Sequence, residues 1–170
     1  MEHISQLLKF YYGVEVDDRG RFLQDILQWD YGRLECVHDF IQWLFPLIEH
    51  SAFNWSAPVL TREDVESFRN SEELKYNLTK AFDLMLGFYG FQRIGSAIVR
   101  SDNYNDRIRN WVNDGNHNYL RITRILKCLC SLGLTNLARA FFVVLQDVYT
   151  DHKEQIGNSY SYWKNAINEI

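Results

Sequence analysis

The sequence predicts an all-α domain, and three observations predict it. The chain of 170 residues holds only nine glycines and two prolines, so few positions break a helix. Aromatic residues reach 15% and hydrophobic residues 46%, enough to build a large core. Apolar side chains recur at spacings of three and four, while the period-two alternation of strands is almost absent. Together they predict one compact domain of seven or eight helices over residues 1–170.

Each element has its own reason. Residues 3–12 place Ile4, Leu7, Leu8 and Tyr11 on one side of a short helix, and Val14–Gly20 is polar and loop-like. Residues 21–29 carry Phe22, Ile26 and Trp29 at helical spacing. Residues 33–45 carry Leu34, Val37, Ile41, Leu44 and Phe45 and read as one helix that Pro46 ends. Residues 47–60 are an aromatic loop with Phe53, Trp55 and Pro58. Thr61 and Asp64 have the spacing of a capping box, and Ser71 followed by two glutamates starts the next helix. That helix holds Leu74, Leu78, Phe82, Met85 and Tyr89 and stops at Gly90.

Residues 91–102 have no clear period, and the β-branched stretch Ile94–Val99 suits a short strand. Residues 103–111 form a helix, and Asp114-Gly115-Asn116 a turn. Residues 117–132 form a helix closed by Gly133. Thr135 caps a helix over 136–150, and Ser159 caps a last one to about Glu169.

The formal net charge of −4 and a pI of about 5.7 argue against general nucleic-acid binding. The charge is uneven. Residues 1–92 hold 8 basic and 15 acidic side chains, whereas residues 93–127 hold 7 basic and 3 acidic. That basic island can attract an anion locally. Cys36, Cys128 and Cys130 make no disulfide framework or metal spacing and point to a reducing, cytoplasmic setting. The first residues lack the pattern of a secretory signal, and no apolar run suits a membrane span.

Two clusters could carry chemistry. His117, Arg121, Arg124 and Cys128 lie at i, i+4, i+7 and i+11 of one helix, and Asn103, Arg107 and Trp111 at i, i+4 and i+8 of another. If the stripes face each other, three guanidinium groups form a cleft for carboxylate or phosphate. The competing reading is a solvated arginine face paired with Asp102, Asp106 or Asp114. In the second cluster, His38 and Gln42 share a helix face at i and i+4, beside Asp39 and Trp43. They either satisfy buried polar groups or join the arginine site. His3, His50, His117 and His152 supply no second His-Asp pair, so no metal centre and no cofactor are expected. Phe53 and Trp55 are candidate partner contacts on the aromatic loop, with core packing as the alternative.

Three stretches go beyond pattern: LECVHDFIQWLFPL at 34–47, KAFDLMLGFYGF at 80–91, and NYNDRIRNW with HNYLRITRILKCLCSLGL at 103–111 and 117–134. In order and spacing they resemble the N-terminal conserved region of the opioid growth factor receptor family, over about residues 22–145. The resemblance implies a soluble helical domain related to receptors for the pentapeptide Met-enkephalin that act at the nucleus to restrain growth. The chain reads as a short member, without the repeat-bearing tail of the vertebrate proteins, and a nuclear location follows only by analogy with them. The expected function is a non-enzymatic module that holds a peptide or other anionic ligand through Arg107, Arg121, Arg124, His117, Asn103, His38 and Gln42. Two alternatives stay open. One is an enzyme on a phosphorylated or carboxylated small molecule, with His38 or His117 as acid or base. The other is a nucleic-acid domain that uses the basic island.

Overall fold

The computed structural model describes residues 4–168. His3 and Glu169, at the outer limits of the first and last expected helices, lie outside them. Among the described residues the architecture is helical, with eleven helices and one two-stranded antiparallel sheet. The chain divides into two compact units, Met1–Ala81 and Phe82–Ile170.

The first unit opens with α1 (Gln6–Tyr11), capped where the Ser5 hydroxyl accepts from the Leu8 amide. α2 (Leu23–Ile26) is a single turn that buries Leu23 and Ile26. α3 (Tyr31–Cys36) and α4 (Ile41–Leu44) replace the one helix expected over 33–45. The break has a visible cause: Val37 turns extended, with φ −92 and ψ 129. The extended chain lets Phe40 bury completely against Trp29, whose ring centre lies 5.3 Å away. Tertiary packing thus overrides a local periodicity.

α5 (Arg62–Asn70) starts at the capping box read from sequence. The Asp64 amide donates to Thr61 Oγ1 at 3.1 Å, and the Thr61 amide donates to Asp64 Oδ2 at 3.0 Å. Ser5 Oγ also donates to Asp64 Oδ1, at 2.6 Å, which ties the start of α1 to the start of α5. Ser71 Oγ accepts from the Leu74 amide at 3.2 Å and caps α6 (Glu72–Tyr89), as expected. The core of this unit is aromatic. Phe10 packs edge-on against Trp43, and Tyr11 against Phe68, with ring centres 5.2 and 4.9 Å apart. The Tyr11 hydroxyl donates to the Leu44 carbonyl, and Asn77 Nδ2 to the Tyr11 carbonyl at 2.8 Å.

The second unit begins within α6. Gly90 closes that helix with φ +98, and a Cβ there would sit 2.9 Å from the Tyr104 Cα. Only glycine fits. β1 (Phe91–Ile94) then pairs with β2 (Ala97–Arg100) in the register Ile94↔Ala97. The two-residue turn has Gly95 at φ +60 and Ser96 at negative φ, the pattern of a type II′ turn. The short strand read at Ile94–Val99 is therefore two strands joined by a hairpin turn.

α7 (Tyr104–Trp111) buries Tyr104, Ile108 and Trp111. α8 (Asn118–Ser131) and α9 (Thr135–Asp151) follow, joined by a tight turn at Gly133. Thr135 lies inside α9, and Leu134 occupies the cap position without a side-chain bond, so the cap expected from Thr135 is not made. α10 (Lys153–Ile156) is one further turn, and α11 (Ser159–Asn168) is the expected last helix. α11 is held to α8 by Trp163, whose Nε1 donates to the Tyr119 carbonyl at 3.1 Å. Phe82, Tyr89, Phe91, Trp111, Tyr119, Phe141 and Trp163 form the aromatic centre of this unit. Among the described residues no helix is long and apolar enough to cross a membrane.

Candidate functional site

The stripe on α7 turns inward to the end of α6. Asn103 Nδ2 donates to the Gly87 carbonyl at 3.4 Å, Arg107 Nε to the Phe88 carbonyl at 2.6 Å, and Trp111 Nε1 to the Tyr89 carbonyl at 3.0 Å. The last carbonyls of a helix lack intrahelical donors and carry partial negative charge. Three side chains spaced i, i+4, i+8 thus donate to three consecutive carbonyls, the first of which also accepts from the Gly90 amide at 3.1 Å. The Arg107 guanidinium also sits over the Phe88 ring, 4.7 Å from its centre.

The stripe on α8 alternates between half-buried and buried. His117 and Arg124 are half-buried, Arg121 is 5% exposed, and Cys128 is fully buried. Leu120, next to Arg121, points to solvent at 59% exposure. Burial drives the Cys128 thiol strongly upward in pKa, against the opposing pull of the Arg124 charge. That thiol is therefore protonated and inert at neutral pH.

His117 precedes the first turn of α8 but makes no cap bond. Asn116 does: its Oδ1 accepts from the Asn118 amide at 2.9 Å. Asn118, the first residue of α8, is completely buried. Its Oδ1 lies 3.4 Å from the Tyr89 hydroxyl and its Nδ2 3.5 Å from His117 Nε2.

His38 and Gln42 belong to the first unit and do not share a helix face. His38 is exposed in the segment between α3 and α4, whereas Gln42 is buried on α4. Gln42 Oε1 accepts no hydrogen bond among the described residues. Asp39, next to His38, pairs with Arg21 at 2.8 Å and Arg19 at 3.2 Å. Arg21 in turn holds the buried Asp17 at 2.7 Å. Burial opposes the Arg21 charge, but hydrogen bonds to Asp39 and Asp17 outweigh it and raise its pKa. This ion network was also missed by the sequence reading.

No group of three His, Cys, Asp or Glu side chains converges among the described residues. Asp106 pairs with Arg109 at 3.6 Å, on the exposed side of α7. Phe53 and Trp55 lie on the surface loop at 82% and 78% exposure.

Comparison with known proteins covers residues of both units. The family model for the opioid growth factor receptor (OGFr) conserved region matches residues 2–169. The opioid growth factor receptor of Rattus norvegicus is 45% identical over 144 residues, covering 79% of this chain and 24% of that protein. That of Homo sapiens is 49% identical over 121 residues, covering 68% of this chain and 18% of the receptor. The opioid growth factor receptor-like protein 1 of Mus musculus is 40% identical over 119 residues, covering 67% and 25%. The chain thus spans about a quarter or less of the length of these relatives. No solved structure matches. By the extent of that match, the chain belongs to the opioid growth factor receptor family, of which it carries the conserved region.

Proposed function

We propose that the chain is a non-enzymatic binding module that holds the anionic group of a peptide on α8. The observation that supports this is the placement of Arg121, Arg124 and His117 on one line, half-buried to buried, on a helix whose buried residues are otherwise mostly apolar. A guanidinium held at a partly desolvated surface attracts a carboxylate more strongly than one in bulk water. The relatives are named as receptors for a growth factor, which favours a ligand over a substrate. Arg107 and Asn103 would support this surface from α7, since their side chains also order the end of α6. His38 and Gln42 belong to the first unit and are not assigned to this α8 surface.

The test is calorimetric titration of the folded chain with Met-enkephalin and with its C-terminal amide. Saturable binding that weakens at least tenfold on amidation, and again in Arg124→Leu, supports the reading. Binding unchanged in both cases, or no saturable heat at millimolar peptide, overturns it.

A further inference from the structure

The aromatic loop between α4 and α5 is a second surface, independent of the α8 site. We propose that it docks a basic segment of a partner protein, one carrying arginine or lysine beside an apolar side chain.

Four observations carry this. First, the loop presents large apolar groups to solvent: Phe53 at 82%, Trp55 at 78% and Ile48 at 61% exposure. Aromatic rings in such positions anchor partners. Second, the loop is ordered before any partner arrives. The buried Ser51 accepts from the Phe53 and Asn54 amides, each at 3.2 Å. The Ala57 amide bonds to the Asn54 carbonyl, and the Leu60 amide to the Leu47 carbonyl. His50 stacks on Trp55 with ring centres 6.2 Å apart. Preorganisation of this kind lowers the entropy lost on binding.

Third, a carboxylate is fixed beside the rings. Asp18 accepts from Trp43 Nε1 at 3.0 Å and from Ser56 Oγ at 3.1 Å, one residue from Trp55. Both donors are neutral. The adjacent Arg19 and Arg21 are committed to Asp39 and Asp17, and Asp18 makes no ion pair among the described residues. Fourth, no lysine or arginine occurs between Arg33 and Arg62, and residues 1–92 carry 15 acidic against 8 basic side chains. Exposed rings beside a fixed negative charge suit a cation that can both stack and pair. An acidic or phosphorylated partner would be repelled by the Asp18 carboxylate and the acidic excess of this part of the chain.

The probe is a fluorescein-labelled octapeptide of alternating arginine and leucine, read by fluorescence polarisation against its counterpart of alternating glutamate and leucine. The arginine peptide is expected to bind saturably, at least tenfold more weakly to Phe53→Ser/Trp55→Ser and to Asp18→Asn, and more weakly as salt rises. The glutamate peptide is expected not to bind. Circular dichroism melts establish that each variant is folded. Should Asp18→Asn unfold, the double variant, the salt series and the peptide of opposite charge still decide. Equal binding of both peptides, unchanged affinity in the folded double variant, or no binding of the arginine peptide overturns the proposal. So does sedimentation showing a dimer that the double variant abolishes, since a second copy would then be the occupant.

Discussion

Arg107 Nε donates to the Phe88 carbonyl at 2.6 Å, so a basic side chain closes the end of a helix from outside it. The same carbonyl end attracts Asn103 and Trp111. What an arginine offers a carboxylate in solution, Arg107 offers a peptide carbonyl at a helix end.

Trp111→Phe tests this arrangement with the least change in shape. It keeps most of the fully buried ring but removes the donor to the Tyr89 carbonyl. A buried carbonyl left without its partner costs about 1–3 kcal/mol. Urea unfolding should show a lower midpoint with an unchanged slope.

Gly90→Ala should cost more than an ordinary helix-end substitution. The residue would be held at φ +98 with its Cβ 2.9 Å from backbone of α7. Left-handed strain alone is on the order of 1–3 kcal/mol, and the clash adds to it. The expected result is a melting midpoint several degrees lower, from differential scanning calorimetry. A midpoint equal to wild type would show that α7 can move aside.

Asp64→Ala removes one carboxylate that serves two elements. It loses the bond from the Thr61 amide and the one from the Ser5 hydroxyl. Loss of a cap and a buried partner predicts a decrease of about 1–2 kcal/mol in unfolding free energy. Asp64→Asn, which keeps an acceptor oxygen, should recover part of it.

Stability should fall in alkali, with Cys128 as one cause. Burial raises its folded pKa above the unfolded value, so the folded state holds its proton where the unfolded state loses it. The sign follows from linkage: the contribution is complete below the unfolded pKa of about 8.5 and declines as pH rises above it, by up to about 1.4 kcal/mol per unit. Tyr119 and Tyr104, both raised chiefly by burial, extend the decline above about pH 10. Urea titrations from pH 7 to 10.5 should show this loss. Cys128→Ala should flatten the part between about pH 8.5 and 10, whatever it does to stability at pH 7.

The sequence made helical content legible because helix ends here are written in local chemistry. Thr61-Asp64, Ser71, Gly90 and Gly133 all stand at the boundaries that their types imply. The break between α3 and α4 was not legible, since only burial of Phe40 reveals why a continuous period is interrupted. The one-turn helix α10 carries too few residues to show a period, whereas α2 lies within the helical spacing of residues 21–29 and is shorter than that spacing suggests. For the candidate site, spacing found the lines Asn103–Arg107–Trp111 and His117–Arg121–Arg124 on their helices. It could not tell which end of which neighbour the first line faces. The contact of Asn118 with Tyr89 and the Asp17–Arg21–Asp39 network stayed hidden because the partners are distant in sequence or change direction through a loop.

The five tryptophans divide four to one. Trp29, Trp43, Trp111 and Trp163 are buried, and Trp55 stands in solvent. A collisional quencher such as acrylamide will reach the loop indole while leaving the interior four dark to it. The unmodified chain therefore carries its own optical label at one address, with red-shifted emission that reports what happens at the loop and a blue-shifted background that reports whether the two cores are intact.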